Sequence, residues 1–312
     1  MTRPVVVAIV GPTAAGKSDL AIRLAVSLGG EVISVDSRLL YRGMDIGTAK
    51  PSVADRARVP HHLIDIADPD EMWSLARFQQ AVRRAIEDVG DRGRLPILVG
   101  GTGQYMRGVL EGWAPPPPAD AQVRARLEAE ARRGGAAALV RRLEQVDPAS
   151  AEAIDPRNVR RVIRALEIFE ATGVPASRQR GRAPPPFRAL RVGWTRPRPE
   201  LYARIDARID DMIRLGLVDE VRGLLARGYA RDLPSMSAIG YREIAAHLAG
   251  EITLDEAIRR MRQATRRFVR RQGNWFRADD PSIRWFTAGP EAVAEVERWI
   301  REETAPPSRQ AS

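Results

Sequence analysis

Apolar residues along the chain fall into short runs that alternate with segments of helical spacing. Three β-branched runs, at 4–10, 31–35 and 95–99, predict buried strands. Apolar positions three to four residues apart, at 19–28 and 75–89, predict helices between these strands. Such alternation is typical of a parallel sheet with helices on both faces. The N-terminal part of the chain is therefore predicted to be an α/β unit.

Two proline runs interrupt this pattern, one at 115–118 and the other at 184–186. The 65 residues between them, 119–183, have helical spacing and are rich in Ala and Arg. Stiff proline segments around a change of composition are typical of domain borders. We therefore predict an inserted all-helical subdomain at 115–187.

The pattern after the insertion predicts a return to the α/β unit. It indicates a strand at 189–194, helices at 201–216 and 218–227, and a long helix to about 272 that the capping box Thr253-Leu-Asp-Glu256 opens. The core unit is thus predicted to comprise 1–114 and 188–303. The polar end of the chain, 304–312, is predicted to be a disordered tail.

Composition narrows the classes of function. The 312 residues include 50 Lys+Arg against 40 Asp+Glu, a formal net charge of +10. This balance favours a polyanionic partner such as nucleic acid, although a genome-wide arginine bias would also produce it. The absence of Cys excludes disulfides, thiolate zinc sites and cysteine nucleophiles. Because the sequence has no signal peptide and no apolar run of about 18 residues, we expect a cytoplasmic protein without membrane contact.

Only two of the 50 basic residues are Lys, and one of them, Lys17, lies in a G-x-x-x-x-G-K-[ST] phosphate loop between a predicted strand and a predicted helix. The N–H groups of such a loop bind phosphate oxygens, the Lys neutralises phosphate charge, and the Ser hydroxyl is a ligand for Mg²⁺. We predict Mg²⁺ as cofactor, with Ser18 as its ligand. The residues predicted to bind a diphosphate or nucleotide are Gly11, Pro12, Thr13, Ala14, Ala15, Gly16, Lys17 and Ser18.

The position of the nearest carboxylate indicates which reaction uses this loop. Phosphate-loop hydrolases usually have a metal-supporting Asp at the end of an apolar strand, but the strand at 95–99 leads into Gly100-Gly101-Thr102. Asp36 follows the strand at 31–35 instead, which favours a general base acting on an acceptor. A helix cap or a metal ligand is the alternative. Since Lys17, Asp36 and Thr102 each follow a predicted parallel strand, we expect them to share one crevice.

Several segments together carry a family resemblance. They are the phosphate loop, Val35-Asp-Ser37, Tyr41-Arg-Gly-Met-Asp-Ile-Gly-Thr-Ala-Lys-Pro51, Pro60-His-His-Leu-Ile-Asp65, Val99-Gly-Gly-Thr102, Arg161-Val-Ile-Arg-Ala-Leu-Glu167, Ala238-Ile-Gly-Tyr-Arg-Glu243, Arg271-Gln272 and Trp275-Phe-Arg277. This set resembles the bacterial tRNA dimethylallyltransferases, also called tRNA isopentenyltransferases. The resemblance implies a P-loop NTPase-like fold.

The resemblance also implies a reaction, in which a dimethylallyl group passes from its diphosphate to N6 of the adenosine 3′ of the tRNA anticodon, position 37. In this family the match makes Asp36 the catalytic base, Thr13 a substrate contact and Arg208 a cation for the leaving diphosphate. Three alternatives are an enzyme that prenylates free adenine nucleotides, a small-molecule kinase and a non-catalytic RNA-binding module. The basic insertion favours tRNA over a free nucleotide.

The family match further implies which residues contact tRNA. They are Asp36, Ser37, Arg38, Leu39, Thr102, Arg124, Arg160, Arg161, Val162, Ile163, Arg164, Ser237, Ala238, Ile239, Gly240, Tyr241 and Arg242. The implied partner is the anticodon stem-loop, bound by a monomer. The chain departs from the usual motifs at Arg38-Leu39, where Met-Gln is commoner, and at Arg270 and Asn274, where Lys and Thr are usual.

The predicted helix ending near 272 is strongly basic. Between Arg259 and Arg277 there are eight Arg and no acids, while Ile258, Met261, Thr265, Phe268 and Gln272 form one face. Because like charges on a helix repel, this run indicates nearby phosphates, with a solvated face as the alternative. Two other features are predicted to be structural. His61-His62 cannot face one metal site together, and Trp194, Trp275 and Trp285 are assigned to the core or to domain junctions.

Overall fold

The computed structural model describes residues 3–115, 117–118, 120–179 and 181–305. The chain forms two compact units. The first comprises Met1–Trp73, Phe78–Leu110 and Pro185–Ser312, and the second comprises Ser74–Arg77 and Glu111–Pro184. The main segment of the second unit, Glu111–Pro184, starts and finishes a few residues earlier than the insertion predicted at 115–187. The short segment Ser74–Arg77 was predicted to belong to the core unit.

The strands of the described chain are β1 (Val5–Val10), β2 (Gly30–Ser34), β3 (His61–His62), β4 (Leu95–Val99), β5 (Arg188–Thr195) and β6 (Arg284–Thr287). The helices are α1 (Lys17–Leu28), α2 (Val53–Arg58), α3 (Leu75–Asp91), α4 (Gly103–Leu110), α5 (Ala121–Val146), α6 (Pro148–Ala153), α7 (Val159–Thr172), α8 (Arg198–Arg214), α9 (Leu217–Ala226), α10 (Tyr241–Leu248), α11 (Leu254–Gly273) and α12 (Ala292–Thr304). The four strands predicted from sequence are confirmed as β1, β2, β4 and β5, to within one residue at each end.

The six strands form one parallel sheet in the order β3-β2-β4-β1-β5-β6. The central strand β1 is fully buried from Val6 to Val10, which explains its continuous apolar run. It pairs with β4 on one side and β5 on the other, so that Ile9 lies between Val99 and Val192. The predicted parallel α/β sheet is thereby confirmed, and the phosphate loop follows its central strand.

The edge strands β3 and β6 are too short, at two and four residues, for periodicity to reveal them. In β3 the His62 ring nitrogen Nε2 lies 2.7 Å from the carboxylate of buried Glu31. Arg92 donates to the same carboxylate, and these two partners hold the pKa of Glu31 below its ordinary value. The structural role predicted for His62 is therefore confirmed.

The tryptophans occupy the places predicted for them. Trp194 is buried at the end of β5, and Trp275 and Trp285 are half-buried against the same core. At the chain end, α12 continues through Thr304, so the disorder predicted for 304–312 is wrong at residue 304. The rest of that prediction falls largely on 306–312, outside the described residues.

No helix in the described part of the chain is long and apolar enough to cross a membrane.

The second unit has its own small core, as an inserted subdomain requires. Its buried side chains are Leu127, Leu139, Leu143, Val162, Ile163, Ala165 and Leu166. Helix α5 breaks at Gly135, whose φ of 72° and ψ of 166° are non-helical. Asp147, 1 % exposed, accepts hydrogen bonds from the backbone of Ser150 and from Ser177, and so ties α6 to the turn that follows α7.

The segment around Gly47 is held from inside by two charged side chains. Lys50, whose side chain is 2 % exposed, donates to Asp45, to Asp65 and to the Tyr41 carbonyl. The Glu220 carboxylate accepts hydrogen bonds from the backbone N–H groups of Asp45, Ile46 and Gly47 and from the Tyr241 hydroxyl. A Cβ at Gly47 would lie 2.4 Å from the Tyr241 ring. The second Lys of the chain and the Tyr of the Ile-Gly-Tyr-Arg-Glu motif therefore both brace this segment.

Replacing Glu220 by Ala should leave three backbone N–H groups and the Tyr241 hydroxyl without their hydrogen-bond acceptor. Because hydrogen bonds to a charged acceptor are the strong ones, we expect the free energy of unfolding to fall by about 3 kcal/mol. Urea denaturation measures this change. The control is Asp219→Ala at the neighbouring position, where the acid forms only a surface pair with Arg222 and the loss should stay below about 1 kcal/mol. Equal losses in the two variants would contradict the bracing role.

Candidate active site

The phosphate loop adopts its shape because glycine stands at two demanding positions. Gly11 has a φ of 138°, and a Cβ there would lie 2.1 Å from the Trp194 carbonyl oxygen. Gly16 has a φ of 92° and precedes the first residue of α1. The loop therefore lies closely over β5 and leads directly into the N-terminus of α1, where backbone N–H groups have no intrahelical partner.

Other parts of the first unit hold the loop in place. Arg204 donates to the Ala14 carbonyl at 2.8 Å, and Arg196 donates to the Ala15 carbonyl at 3.2 Å. The side chain of Gln272 accepts a hydrogen bond from the Thr13 N–H at 2.8 Å. These bonds use the Ala14 and Ala15 carbonyls and the Thr13 N–H, so the N–H groups at the start of α1 are left for an anion.

Lys17 lies at the first position of α1 and donates to the Pro12 carbonyl at 2.7 Å. Loss of hydration lowers the pKa of its ammonium group to about 8. The negative charge of Asp36 opposes this shift, and the positive charge of Arg208 adds to it. A cation that has lost hydration without a tightly bound carboxylate favours an incoming anion.

Asp36 lies two residues beyond the end of β2, at the carboxyl edge of the sheet. Its Oδ1 accepts a hydrogen bond from the Arg38 N–H at 2.9 Å. Its Oδ2 makes no hydrogen bond to any described residue. The next residue, Ser37, donates its N–H to the Thr102 hydroxyl at 3.2 Å, which joins the segments that follow β2 and β4. One carboxylate oxygen is thus oriented, and the other is available.

Arg208 extends from α8 and forms no ion pair within the described part of the chain. Burial lowers the pKa of its guanidinium group, the nearby charge of Asp36 raises it, and that of Arg204 lowers it. Like Lys17, it is a cation placed where water is scarce.

Two cavities meet at these residues. The larger, about 870 Å³, has an apolar wall that includes Ile205, Ile209, Met261 and Phe268. The smaller, about 660 Å³, contains Lys17, Ser18 and the glycines that follow β4. Both are lined by Thr13, Ala14, Asp36, Thr48, Arg208 and Phe268. The structure therefore brings the phosphate loop and Asp36 together, while Thr102 lines the larger cavity.

Most residues assigned to tRNA contact in the first unit line the larger cavity. They are Asp36, Ser37, Arg38, Thr102, Ser237, Ala238, Ile239 and Arg242, whereas Leu39 lines the smaller one. Arg38 donates to the Pro234 carbonyl at 2.6 Å and to the Ser237 hydroxyl at 3.2 Å. It therefore links the Asp36 segment to the segment that precedes α10.

Two residues of the same predicted set, Gly240 and Tyr241, line neither cavity. The side chain of Tyr241 is fully buried, and its hydroxyl donates to Glu220. Gly240 is buried too, and its N–H donates to Glu243. The Tyr241 side chain therefore has a structural role in the core, and the tRNA contact expected of it stays a prediction.

The predicted contacts in the second unit divide in the same way. Val162 and Ile163 are 2 % and 5 % exposed, so their side chains pack in its core, and the tRNA contact expected of them stays a prediction. Arg124 and Arg164 both donate to the buried carboxylate of Glu167. Arg160 and Arg161 are exposed, and neither side chain has a partner among the described residues.

The basic helix α11 is less uniform than its sequence suggested. Five of the eight counted arginines pair with acids, namely Arg259 and Arg260 with Glu256, Arg262 with Asp210, Arg266 with Asp206, and Arg277 with Asp279. The other three, Arg267, Arg270 and Arg271, have no such partner within the described chain and line the larger cavity. The expectation that the whole run lacks compensating acids is therefore wrong.

Sequence reasoning missed the site role of Gln272. It is 3 % exposed and bonds to the phosphate loop at Thr13 and to the Gly101 carbonyl. The available signal was a polar amide on the otherwise largely apolar face of α11. Arg196 and Arg204 gave no signal, because arginine is common throughout this chain.

Known proteins resemble this chain along almost its whole length. The family described as IPP transferase matches residues 39–279, and that described as isopentenyl transferase matches residues 4–60. A curated tRNA dimethylallyltransferase of Roseiflexus sp. is 59 % identical over 272 residues, which cover 87 % of this chain and 89 % of the relative.

Solved structures show the same likeness. The full-length tRNA isopentenylpyrophosphate transferase of Bacillus halodurans is 42 % identical, with a TM-score of 0.71 and 97 % of each chain covered. A eukaryotic dimethylallyltransferase acting on tRNA is 27 % identical, with a TM-score of 0.81, and the match covers 98 % of this chain and 81 % of that one. The chain therefore belongs to the IPP transferase family, whose relatives include the tRNA dimethylallyltransferases.

Proposed function

We propose that the chain transfers the dimethylallyl group of dimethylallyl diphosphate to N6 of adenosine 37, 3′ of the tRNA anticodon. The products are N6-(dimethylallyl)adenosine and diphosphate. The observation that carries the proposal is the position of Asp36, which lines both the cavity of the phosphate loop and the larger cavity beside it. A base on the acceptor and a cradle for the leaving group thus share one space.

Asp36 supplies the base that the acceptor needs. The lone pair of the adenine amine is delocalised into the ring, so the amine is a weak nucleophile until it loses a proton. As the N6–C1 bond forms and the C1–O bond to diphosphate breaks, the proton moves from N6 to Oδ2 of Asp36. The hydrogen bond from the Arg38 N–H to Oδ1 orients the carboxylate for this step.

The leaving diphosphate gains negative charge as the C1–O bond breaks. Lys17, Arg208 and the N–H groups at the start of α1 stabilise that charge. Both cations are already desolvated, so their attraction for the departing oxygens is stronger than in water. In this use the loop holds a diphosphate that departs rather than a nucleotide that is hydrolysed.

The smaller cavity fits a hydrated Mg²⁺. Its hydroxyls include Ser18 and Ser34, and the Ser34 oxygen is buried without a hydrogen-bond partner in the described structure. The described chain has no cluster of three or more acidic, His or Cys ligands. Mg²⁺ is commonly bound through phosphate oxygens and waters with few protein ligands, so Ser18 would hold it beside the diphosphate. The ion would supply charge neutralisation for the leaving group.

The larger cavity suits a nucleotide taken out of a stacked RNA loop. Bases in anticodon loops can be splayed into a pocket at a modest energetic cost. The cavity is lined by apolar side chains and by the unpaired Arg267, Arg270 and Arg271. We therefore propose that the chain recognises the anticodon stem-loop. We also propose that the active form is a monomer, because one chain contains every residue used above. We propose the cytoplasm as its location.

Replacing Asp36 by Asn should leave the cavities intact and remove the base. We expect the rate of label transfer from dimethylallyl diphosphate to tRNA to fall at least about 100-fold, while binding of tRNA stays within about twofold. Transfer is measured with radiolabelled substrate, Mg²⁺ and a tRNA that has adenosine at position 37, with AMP in a parallel reaction. Label that enters AMP alone would instead indicate an enzyme of free nucleotides, and a requirement for ATP turnover would indicate a kinase.

The pKa of Lys17 predicts a pH limit. Its ammonium form is the one that attracts diphosphate, so kcat/KM for dimethylallyl diphosphate should fall as pH rises through about 8. In Lys17→Met the value should be low throughout and this alkaline limb should disappear. A pH profile of kcat/KM at fixed ionic strength measures both. An alkaline limb that persists in Lys17→Met would assign the titration to another group.

Unpaired and paired arginines should differ in their effect on tRNA binding. Replacing Arg267, Arg270 and Arg271 together by Gln should lower the slope of log affinity against log salt by about 2 to 3, at about 0.7–0.9 per phosphate contact. The matched control replaces Arg259, Arg260 and Arg277, which removes the same charge from residues that already pair with acids. Equal slopes for the two triple variants would show that only net charge matters.

A further inference from the structure

We infer that Gln272 is a positioning residue, which fixes the phosphate loop relative to the segment that contains Thr102 and so sets the geometry of transfer. This inference rests on the proposed function, because it concerns the separation between the base and the leaving group. The contacts that support the inference do not depend on the proposed function, because they are the hydrogen bonds of the Gln272 side chain to both segments.

The Gln272 amide uses both of its ends. Its Oε1 accepts the Thr13 N–H at 2.8 Å, and its Nε2 donates to the Gly101 carbonyl at 2.9 Å. The side chain is 3 % exposed, so water does not compete for these bonds. A buried amide with an acceptor and a donor satisfied on different segments acts as a bridge between them.

The receiving segment is shaped for this contact. A Cβ at Gly101 would lie 2.4 Å from the Gln272 Nε2, and a Cβ at Gly103 would lie 2.1 Å from Cγ of Trp275. The C-terminal end of α11 and the residues that follow it therefore lie very close to the segment after β4. Only glycine at positions 101 and 103 allows this approach. The bridge is part of the packing and not a contact between mobile surfaces.

The bridge ends beside the reacting groups. Thr13 lines both cavities with Asp36, and the residue after Gly101 is Thr102, whose hydroxyl accepts the Ser37 N–H. One continuous set of bonds therefore runs from the phosphate loop through Gln272 to the segment of the proposed base. Misplacement of reacting groups by about 1 Å can cost about 100-fold in rate. Gln272 touches neither reacting atom, so its effect is on position.

The two ends of the amide can be separated by substitution. Gln272→Leu has similar size and makes neither bond. Gln272→Glu can still accept from Thr13, but its second oxygen would face the Gly101 carbonyl with no proton to donate. The control is Gln79→Leu, because Gln79 is also 3 % exposed and its amide donates to the Gly108 carbonyl at 2.7 Å, yet it lines neither cavity.

The experiment measures the single-turnover rate of dimethylallyl transfer to tRNA, normalised to active sites, together with hydrogen exchange of the peptide that contains Thr13. We expect the rate to fall about 10- to 100-fold in Gln272→Leu. Exchange at Thr13 should be faster in that variant and unchanged in Gln272→Glu, whose rate should nevertheless fall. Gln79→Leu should be less stable but have the wild-type rate per active site and the wild-type exchange at Thr13.

A wild-type rate in Gln272→Leu, or an equal rate loss in Gln79→Leu, would overturn the inference, because the effect would then be absent or general. Unchanged exchange at Thr13 in Gln272→Leu would overturn it as well. Failure of the proposed function would look different, since wild-type protein would then transfer no label while exchange at Thr13 still responded to Gln272→Leu.

Discussion

The site depends on how closely backbones approach one another at the carboxyl edge of the sheet. A Cβ at Gly100 would lie 1.9 Å from the Val35 carbonyl oxygen, and one at Gly11 would lie 2.1 Å from that of Trp194. These contacts bring the segment after β1 close to the end of β5, and the segment after β4 close to the end of β2. Any other residue at either glycine would separate the strand ends that support the phosphate loop and Asp36. The parallel sheet determines which segments meet, and the glycines determine how near they come.

The convergence has an electrostatic consequence. Lys17 and Arg208 lie in a space where hydration is poor, and burial lowers the pKa of both. The described contacts of these two cations include no ion pair, so the free protein carries a desolvation cost that an incoming anion would reduce. A diphosphate with several negative oxygens suits this environment better than a single carboxylate. In the proposed reaction, substrate binding and stabilisation of the leaving group would therefore draw on the same property.

Local patterns predicted the parts of this arrangement that are local. The strands β1, β2, β4 and β5 could be predicted because buried parallel strands are continuous apolar runs. The phosphate loop could be predicted from its G-x-x-x-x-G-K-[ST] motif. Gln272 could not, because its partner Thr13 lies 259 residues away and no periodicity records such a contact. The burial of the Tyr241 side chain was not predicted either. A family motif marks a position that must keep its residue, but it does not say whether RNA or the protein core makes that demand.

Arginines show most clearly why counting charge along the chain is not enough. The run in α11 has no acid between Arg259 and Arg277, yet Asp206 and Asp210 of α8 lie against it. An arginine already bonded to a carboxylate must give up that bond, or share it, to bind phosphate, so we expect it to contribute less to RNA affinity than an arginine without an acidic partner. An unpaired arginine has no such loss. We therefore expect the RNA-binding surface to be formed by the arginines that lack an acidic partner in the described structure, and only the tertiary structure reveals which those are.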